Sequence, residues 1–131
     1  MIVGIGTDLV EIERVRRVLE SPVGDKFLHR ILTDAELDMI ASRHQRRVEF
    51  TAGRFAAKEA VVKAIGCGIG EAVGFRDITI MPDKLGKPEC QLSERSSAKL
   101  GIKETDRLLV TISHTGTHAV AFAIWERVDV G

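Results

Sequence analysis

The chain has 131 residues, 44% of them apolar and 29% charged, and a chain of this length commonly forms one domain that buries about two-thirds of its unfolded surface. No apolar run approaches the ~20 residues that span a bilayer, and no basic-then-apolar leader opens the chain, so we expect a single cytoplasmic domain over residues 1–131 without membrane contact. The 19 basic and 19 acidic residues cancel, so no overall field attracts nucleic acid.

The first predicted element is a short buried strand from Met1 to Gly6, where small and β-branched residues alternate. Asp8 follows at a predicted junction between this strand and a helix. Asp8 and Glu11 have the three-residue spacing of a capping box. We therefore predict a helix running to about Glu20, with Asp8 able to serve as its N-cap.

Two further helices are predicted in the first half of the chain. Thr33 and Glu36 form a second capping box, which opens a helix after a short segment from Lys26 to Leu32. The longest helix is predicted from Val48 to Ile65, because alanine and long side chains dominate that stretch. Gly66 is placed to end it.

The second half of the chain is predicted to hold two hairpins joined by a short helix. Turn residues separate the strands of each hairpin, and a serine and a glycine delimit the helix. The predicted strands are 77–81, 89–92, 108–113 and 119–125, with the helix ending at Gly101 and the last turn at 114–118. The predicted fold is α+β, with a mostly antiparallel sheet packed against the long helix.

Two carboxylates are candidates for a metal site. Glu59 and Lys63 are four residues apart on the long helix and project from one face, although an isolated pair of this kind is usually a surface ion pair. Mg²⁺ typically takes one or two protein carboxylates and leaves its other positions to water and phosphate oxygens. Asp8 and Glu59 would therefore suffice, so for Asp8 the helix cap and the metal ligand both stay open.

Several residues are candidates for binding phosphate, which requires backbone amides, cations or both. They are Arg54 and Lys58 on the long helix, the glycines after Ile65, and His114 with Thr115 in the last turn. The glycine spacing matches neither a P-loop nor a dinucleotide-binding fingerprint. This counts against an ordinary nucleotide triphosphatase or a Rossmann dehydrogenase.

Zinc binding and disulfide formation are not favoured by the pattern. His114 and His118 flank a turn, and no further His or Cys is placed nearby to complete a zinc site. Cys67 and Cys90 are too few and too far apart for a disulfide framework or a Cys-x-x-Cys site. We interpret both cysteines as ordinary thiols.

Taken together, three stretches of the sequence resemble the holo-acyl-carrier-protein synthase family of 4'-phosphopantetheinyl transferases. They are Gly4-Ile5-Gly6-Thr7-Asp8, Gly53-Arg54-Phe55-Ala56-Ala57-Lys58-Glu59-Ala60 continuing to Lys63, and Ile112-Ser113-His114-Thr115. The intervening Ile31-Leu32-Thr33 and Gly86-Lys87-Pro88 stretches also match. The resemblance covers nearly the whole chain, and no motif position departs from the family pattern.

The resemblance implies an enzyme that transfers the phosphopantetheine arm of coenzyme A to a serine of apo-acyl carrier protein, releases 3',5'-ADP and supports fatty acid biosynthesis. It implies that Asp8 and Glu59 hold magnesium and that Lys63 stabilises the departing phosphate, which makes these three the catalytic residues. It further implies a homotrimer with active sites shared between neighbouring subunits. The residues that it places around coenzyme A are Arg54, Lys58, Gly66, His114 and Thr115.

The resemblance also assigns a role to the basic first helix, because carrier proteins are acidic. Arg14, Arg17 and Arg30 are the predicted charged contacts with the carrier protein, and Val18 and Phe27 are the predicted apolar ones. Without the resemblance, this arginine cluster would be interpreted as a solvated helical surface.

Two other classes of function stay open on the sequence. A binding module would hold coenzyme A or an acidic protein without turnover, but it would not need two carboxylates beside a lysine. A metal-dependent phosphotransferase acting on a small molecule would have no evident use for the basic first helix. Composition by itself is also compatible with an interaction protein whose helices serve only packing.

Overall fold

The computed structural model describes residues 1–42 and 44–128. Strands and helices follow one another in the order β1, α1–α4, β2, β3, α5, β4 and β5, with two 3-10 turns. Their bounds are β1 Ile2–Glu11, α1 Ile12–Glu20, α2 Gly24–Ile31, α3 Asp34–Ala41, the turn His44–Arg46, α4 Arg47–Ile65, the turn Phe75–Asp77, β2 Ile78–Pro82, β3 Pro88–Leu92, α5 Glu94–Leu100, β4 Asp106–His114 and β5 His118–Arg127.

The five strands of the described chain form one sheet in the order β1-β5-β4-β3-β2, with antiparallel neighbours throughout. β5 pairs along most of its length with β1 on one side and β4 on the other, and β3 meets β4 where Glu89 lies opposite Leu109. Helix α4 packs across β1, β5 and β4. The predicted α+β fold, with an antiparallel sheet against the long helix, is confirmed.

The core has two adjoining parts that share α4. The first lies between α4 and the sheet, where small α4 side chains such as Ala56 and Ala60 meet Ala121 and Ala123 of β5. The second lies where α1, α2 and α3 pack on the beginning of α4, around Leu28, Ile31 and Phe50 among others. Helix α4 is therefore buried along most of its length, and its exposed positions are few.

Two glycines allow β1 to lie directly against α4. A Cβ atom on Gly6 would overlap the carbonyl oxygen of Ala60, and one on Gly4 would overlap the carbonyl oxygen of Ala64. Backbone atoms cannot swing aside as the end of a flexible side chain can. This close approach places the following residues of β1, including Asp8, beside the middle of α4.

Gly6→Ala is expected to lower the free energy of unfolding by about 1–3 kcal/mol, because the added methyl group has to push β1 away from α4. Gly70→Ala is the control, since a Cβ atom there meets no atom within 4 Å, and its effect should stay within about 0.5 kcal/mol. Urea denaturation measures both. Equal midpoints for the two variants would contradict the packing described here.

The N-terminal prediction needs a correction. β1 continues to Glu11, so Asp8 lies inside the strand, opposite Ala121 of β5, and does not cap a helix. Glu11 is the N-cap of α1 and makes no side-chain capping bond. The predicted capping box is therefore wrong, because strand pairing with β5 holds this backbone in an extended conformation. Asp8 shares the face of Gly6, two residues earlier, which is the face toward α4.

The other predicted boundaries agree closely with the structure. The capping box of Thr33 and Glu36 is present at the start of α3, and Gly66 ends α4 in the left-handed conformation with φ of 91°. Both hairpins form, and α5 begins after its N-cap Ser93. Across residues 1–42 and 44–128, the helices are too short or too polar to cross a membrane.

Candidate active site

An open cleft of about 370 Å³ lies where the end of β1 meets α1, α2 and α4. Strand β1 contributes two acidic residues, α4 contributes a third together with an aromatic ring, and α1 and α2 supply one arginine and several apolar groups. The lining residues are Asp8, Leu9, Val10, Glu11, Arg14, Val15, Val18, Phe27, Phe55 and Glu59.

The acidic end of the cleft contains two carboxylates and an ammonium group. Lys63 Nζ donates to Asp8 Oδ1 at 3.1 Å and to the carbonyl oxygen of Thr7 at 3.0 Å. Burial raises the pKa of Glu59, the nearby charge of Asp8 raises it further, and Lys63 acts in the opposite direction. A cation beside this pair would counter the effect of Asp8 on Glu59 and stabilise the ionised form of Glu59.

The donor set of Asp8 and Glu59 fits Mg²⁺. Within residues 1–42 and 44–128, no cluster of three or more His, Cys, Asp and Glu side chains could surround a metal. These residues therefore form no metal site whose ligands all come from the protein. Mg²⁺ does not require such a cluster, because it is usually held by one or two carboxylates together with waters and substrate phosphates. Two carboxylates facing an open cleft meet that requirement.

One wall of the cleft is aromatic. The ring centroids of Phe27 and Phe55 are 6.4 Å apart, and those of Phe55 and Phe75 are 5.4 Å apart, with both pairs stacked at 27°. Phe55 lies one helical turn before Glu59 on α4. The cleft therefore combines an acidic end with an apolar wall, which suits a ligand that has both charged and apolar parts.

Lys58 does not face the cleft, and its predicted contact with coenzyme A phosphates needs correction. Its side chain is fully buried, and Nζ donates to Glu36 Oε1 at 2.6 Å, to the Ile31 carbonyl at 2.7 Å and to the Phe75 carbonyl at 3.1 Å. Burial lowers the pKa of Lys58, while Glu36 acts to raise it. Its three donors already have partners inside the protein, so Lys58 is a structural residue.

The other four residues assigned to coenzyme A lie outside the cleft lining of the described chain. Arg54 Nε donates to the Ile80 carbonyl at 3.0 Å. Gly66 is the exposed end of α4. His114 ends β4, and the Thr115 hydroxyl accepts from the amides of the turn that follows. None of these four residues therefore joins Asp8 and Glu59 in the lining of the cleft.

A model of the 4'-phosphopantetheinyl transferase superfamily matches residues 4–123 of the sequence. The chain belongs to the 4'-phosphopantetheinyl transferase superfamily. The resemblance inferred from the three sequence stretches is confirmed.

Individual relatives of this transferase are similar along the whole chain. The holo-[acyl-carrier-protein] synthase of Vibrio cholerae is 47% identical over 128 residues, 97% of this chain and 99% of that protein. The crystal structure of the Neisseria meningitidis synthase superposes with a TM-score of 0.87 at 40% identity, over 97% of this chain and 100% of that one. The Bacillus anthracis synthase in complex with CoA (3',5'-ADP) has a TM-score of 0.82 at 40% identity, over 98% and 99% of the two chains. The assignment as an enzyme of the holo-acyl-carrier-protein synthase group is confirmed.

The arginines of the transferase differ in their position relative to the cleft. Arg14 lines it beside Val18 and Phe27. Arg17 on α1 and Arg30 on α2 are exposed and lie outside the lining. The structure thus brings three of the five predicted carrier contacts to the edge of the acidic site, and leaves the other two on the adjoining surface.

Sequence reasoning missed a buried network in the transferase. Glu36 was interpreted only as part of a capping box, yet its carboxylate also accepts from Lys58 and from the Ile80 amide at 2.8 Å. One signal was present in the sequence: Lys58 precedes Val61 and Val62 by three and four residues, so it shares their helix face. That face is the buried one.

Proposed function

We propose that this chain transfers the 4'-phosphopantetheine group of coenzyme A to a serine of apo-acyl carrier protein, with magnesium, and releases 3',5'-ADP. The observation that carries the proposal is the convergence of Asp8, Glu59 and Lys63 at one end of a cleft bordered by Arg14. Membership in the superfamily supports it, as does the Bacillus anthracis relative in complex with CoA (3',5'-ADP).

The reaction is a phosphoryl transfer in which the chain's own residues supply positioning and charge. The serine oxygen of the carrier forms a bond to the phosphorus that bears the pantetheine arm, and the bond from that phosphorus to 3',5'-ADP breaks. Asp8 and Glu59 would hold magnesium, which when bound neutralises charge on the coenzyme A pyrophosphate. Lys63 places an ammonium near the leaving phosphate. Glu59 is the candidate acceptor of the serine proton.

Intact-mass spectrometry tests the proposed transfer. Apo-acyl carrier protein incubated with this chain, coenzyme A and Mg²⁺ is expected to gain the mass of one phosphopantetheine, and a chelator should abolish the gain. If coenzyme A binds but no carrier protein gains mass, the chain is a binding module. A gain that survives complete removal of metal would contradict the magnesium part of the proposal.

The Mg²⁺ concentration needed for half-maximal transfer is expected to rise as the pH falls. The pKa of Glu59 is raised by burial and by Asp8, so this carboxylate begins to take up a proton at a higher pH than an exposed glutamate does. The protonated form is the poorer metal ligand, so activity is lost as the pH falls through this pKa. Initial rates over a grid of pH and Mg²⁺ measure the effect. An acidic loss of rate that added Mg²⁺ cannot restore would contradict it.

The proposed assembly is a homotrimer in which neighbouring subunits share active sites. On the sheet face turned away from α4, strands β1 and β5 expose apolar side chains: Ile5, Leu9 and Phe122 are 69%, 64% and 48% exposed. Apolar patches of this kind usually mark an interaction site. Association through this face would also allow one chain to contribute to the cleft of its neighbour. The contributing residues would be Arg54, Gly66, His114 and Thr115.

Phe122→Asp is expected to dissociate the assembly and to lower transfer by about tenfold or more. Each of the three subunits would place one carboxylate in the apolar interface, where a charge is costly to bury. Light scattering coupled to size-exclusion chromatography measures the mass, and transfer rates are compared at equal concentration. Leu85→Asp is the control, since Leu85 is 95% exposed on the β2–β3 turn. A trimeric Phe122→Asp variant would contradict the proposed interface.

The carrier protein is proposed to dock on α1 and α2. Arg14, Arg17 and Arg30 would meet its acidic surface, and Val18 and Phe27 would provide apolar contact. The position of Arg14, Val18 and Phe27 at the cleft supports this arrangement. Association steered by exposed charges weakens with salt, because screening acts over roughly 10 Å at 0.1 M. The role proposed for the enzyme is in fatty acid biosynthesis in the cytoplasm.

A further inference from the structure

The 3-10 turn Phe75–Asp77 lies outside the cleft but holds two helices near it. Arg76 Nη1 donates to the carbonyl oxygens of His29 at 2.8 Å and Leu32 at 3.0 Å, and Nη2 donates to Asp34 Oδ1 at 2.7 Å. The last carbonyls of a helix have no partners within it. A single arginine therefore provides hydrogen-bond donors for two carbonyl groups at the C-terminal end of α2 and joins this end to the first turn of α3.

Helix α4 holds the same end of α2 from inside the protein. Lys58 Nζ bonds the Ile31 carbonyl, and it also bonds the carbonyl of Phe75, the residue before the arginine. The Phe75 ring stacks on Phe55 of α4, which in turn stacks on Phe27 of α2. The end of α2 is thus fixed to α4 both directly, through Lys58, and indirectly, through the Phe75–Asp77 turn.

The turn is anchored on its other side by α5. Asp77 Oδ2 accepts from the Gly74 amide at 2.8 Å and from Arg95 Nη2 at 2.6 Å, and Oδ1 accepts from the Ser93 hydroxyl at 2.7 Å. Although burial acts to raise it, these bonds lower the pKa of Asp77 to about 2. The Asp77 carboxylate stays ionised near neutral pH, so its hydrogen bonds keep the turn that carries Arg76 anchored to α5.

We propose that Arg76 is a positioning residue for the carrier protein. It fixes α2, which presents Phe27 and Arg30, at the distance from α4 at which the carrier serine reaches the end of the cleft occupied by Glu59. Arg76 contacts no substrate itself, because its guanidinium faces α2 and α3. This inference rests on the proposed function. A misplacement of 1 Å far from the chemistry can cost a reaction up to about 10²-fold.

Arg76→Gln tests the proposal against Arg127→Gln, which removes an arginine–aspartate pair between β5 and β4, away from α2 and α3. For Arg76→Gln we expect faster amide hydrogen exchange across 28–32 and a kcat/KM for the carrier protein that is about tenfold lower, with the KM for coenzyme A within about twofold. Arg76→Lys should recover part of the loss, because an ammonium can still donate to helix-end carbonyls. Arg127→Gln should leave both readouts unchanged.

Three results would overturn the proposal while the transferase activity stands. The first is a carrier kcat/KM for Arg76→Gln equal to that of Arg127→Gln, and the second is unaltered exchange across α2. A parallel rise in the KM for coenzyme A would also overturn it, since that indicates general damage to the site. Absence of transfer by the unsubstituted protein is a separate result, which overturns the proposed function and this inference together.

Discussion

Glu59→Gln is expected to lower the rate of phosphopantetheine transfer by about 10²–10⁴-fold, the range found when a proton acceptor is removed. The amide keeps the shape of the side chain but loses the charge that a metal and a departing proton require. Intact-mass kinetics measure the rate, and calorimetric titration with Mg²⁺ in the presence of coenzyme A measures metal binding. Both signals should fall together, because one carboxylate is proposed to serve both purposes.

Glu49→Gln is the matched control for this variant. Glu49 lies in the first turn of the same helix, is also half-buried, and does not line the cleft. Its substitution should leave transfer unchanged. Since burial and Asp8 already disfavour the ionised form of Glu59, Glu59→Gln should not destabilise the fold. Transfer at the unsubstituted rate by a folded Glu59→Gln protein would remove Glu59 from the proposed mechanism.

Lys58→Met is expected to lower the free energy of unfolding by about 3–5 kcal/mol, because it leaves the Glu36 carboxylate buried without its cation. The side chains of this pair are both fully buried, and their charged atoms are 2.6 Å apart. Denaturant unfolding measures the loss. Adding Glu36→Gln should recover part of it, since the remaining carboxamide is neutral and still accepts hydrogen bonds.

Lys63→Met provides a contrast on the same helix, five residues later. Its side chain is 53% exposed and pairs with Asp8 at the cleft, so its loss should change stability by no more than about 1 kcal/mol while transfer falls. Lys58→Met is expected to show the opposite pattern. A Lys58→Met variant that keeps full stability but loses affinity for coenzyme A would restore the interpretation of Lys58 as a phosphate ligand.

The predicted elements that agree best with the structure depend on residues close together in the sequence. The capping box of Thr33 and Glu36, and the end of α4 at Gly66, each depend on a few neighbouring residues whose side chains or backbone satisfy the helix ends. The β2–β3 and β4–β5 hairpins are likewise local. Asp8 was misplaced because its partner Ala121 belongs to the last strand. No neighbour of Asp8 in the sequence signals that pairing.

The sequence by itself determined four of the five described helices, the hairpins, the fold class and the family of this protein, because each depends on short patterns or on motifs of fixed spacing. Helix α2, Gly24–Ile31, was predicted only as a short segment. It also singled out Asp8, Glu59 and Lys63. Only the tertiary structure decided which side chains on α4 reach solvent. Glu59 and Lys58 are adjacent in sequence, yet one lines the cleft and the other is buried against Glu36. Their environments differ because helices α2 and α3 and the Phe75–Asp77 turn enclose one face of α4 and leave the next open.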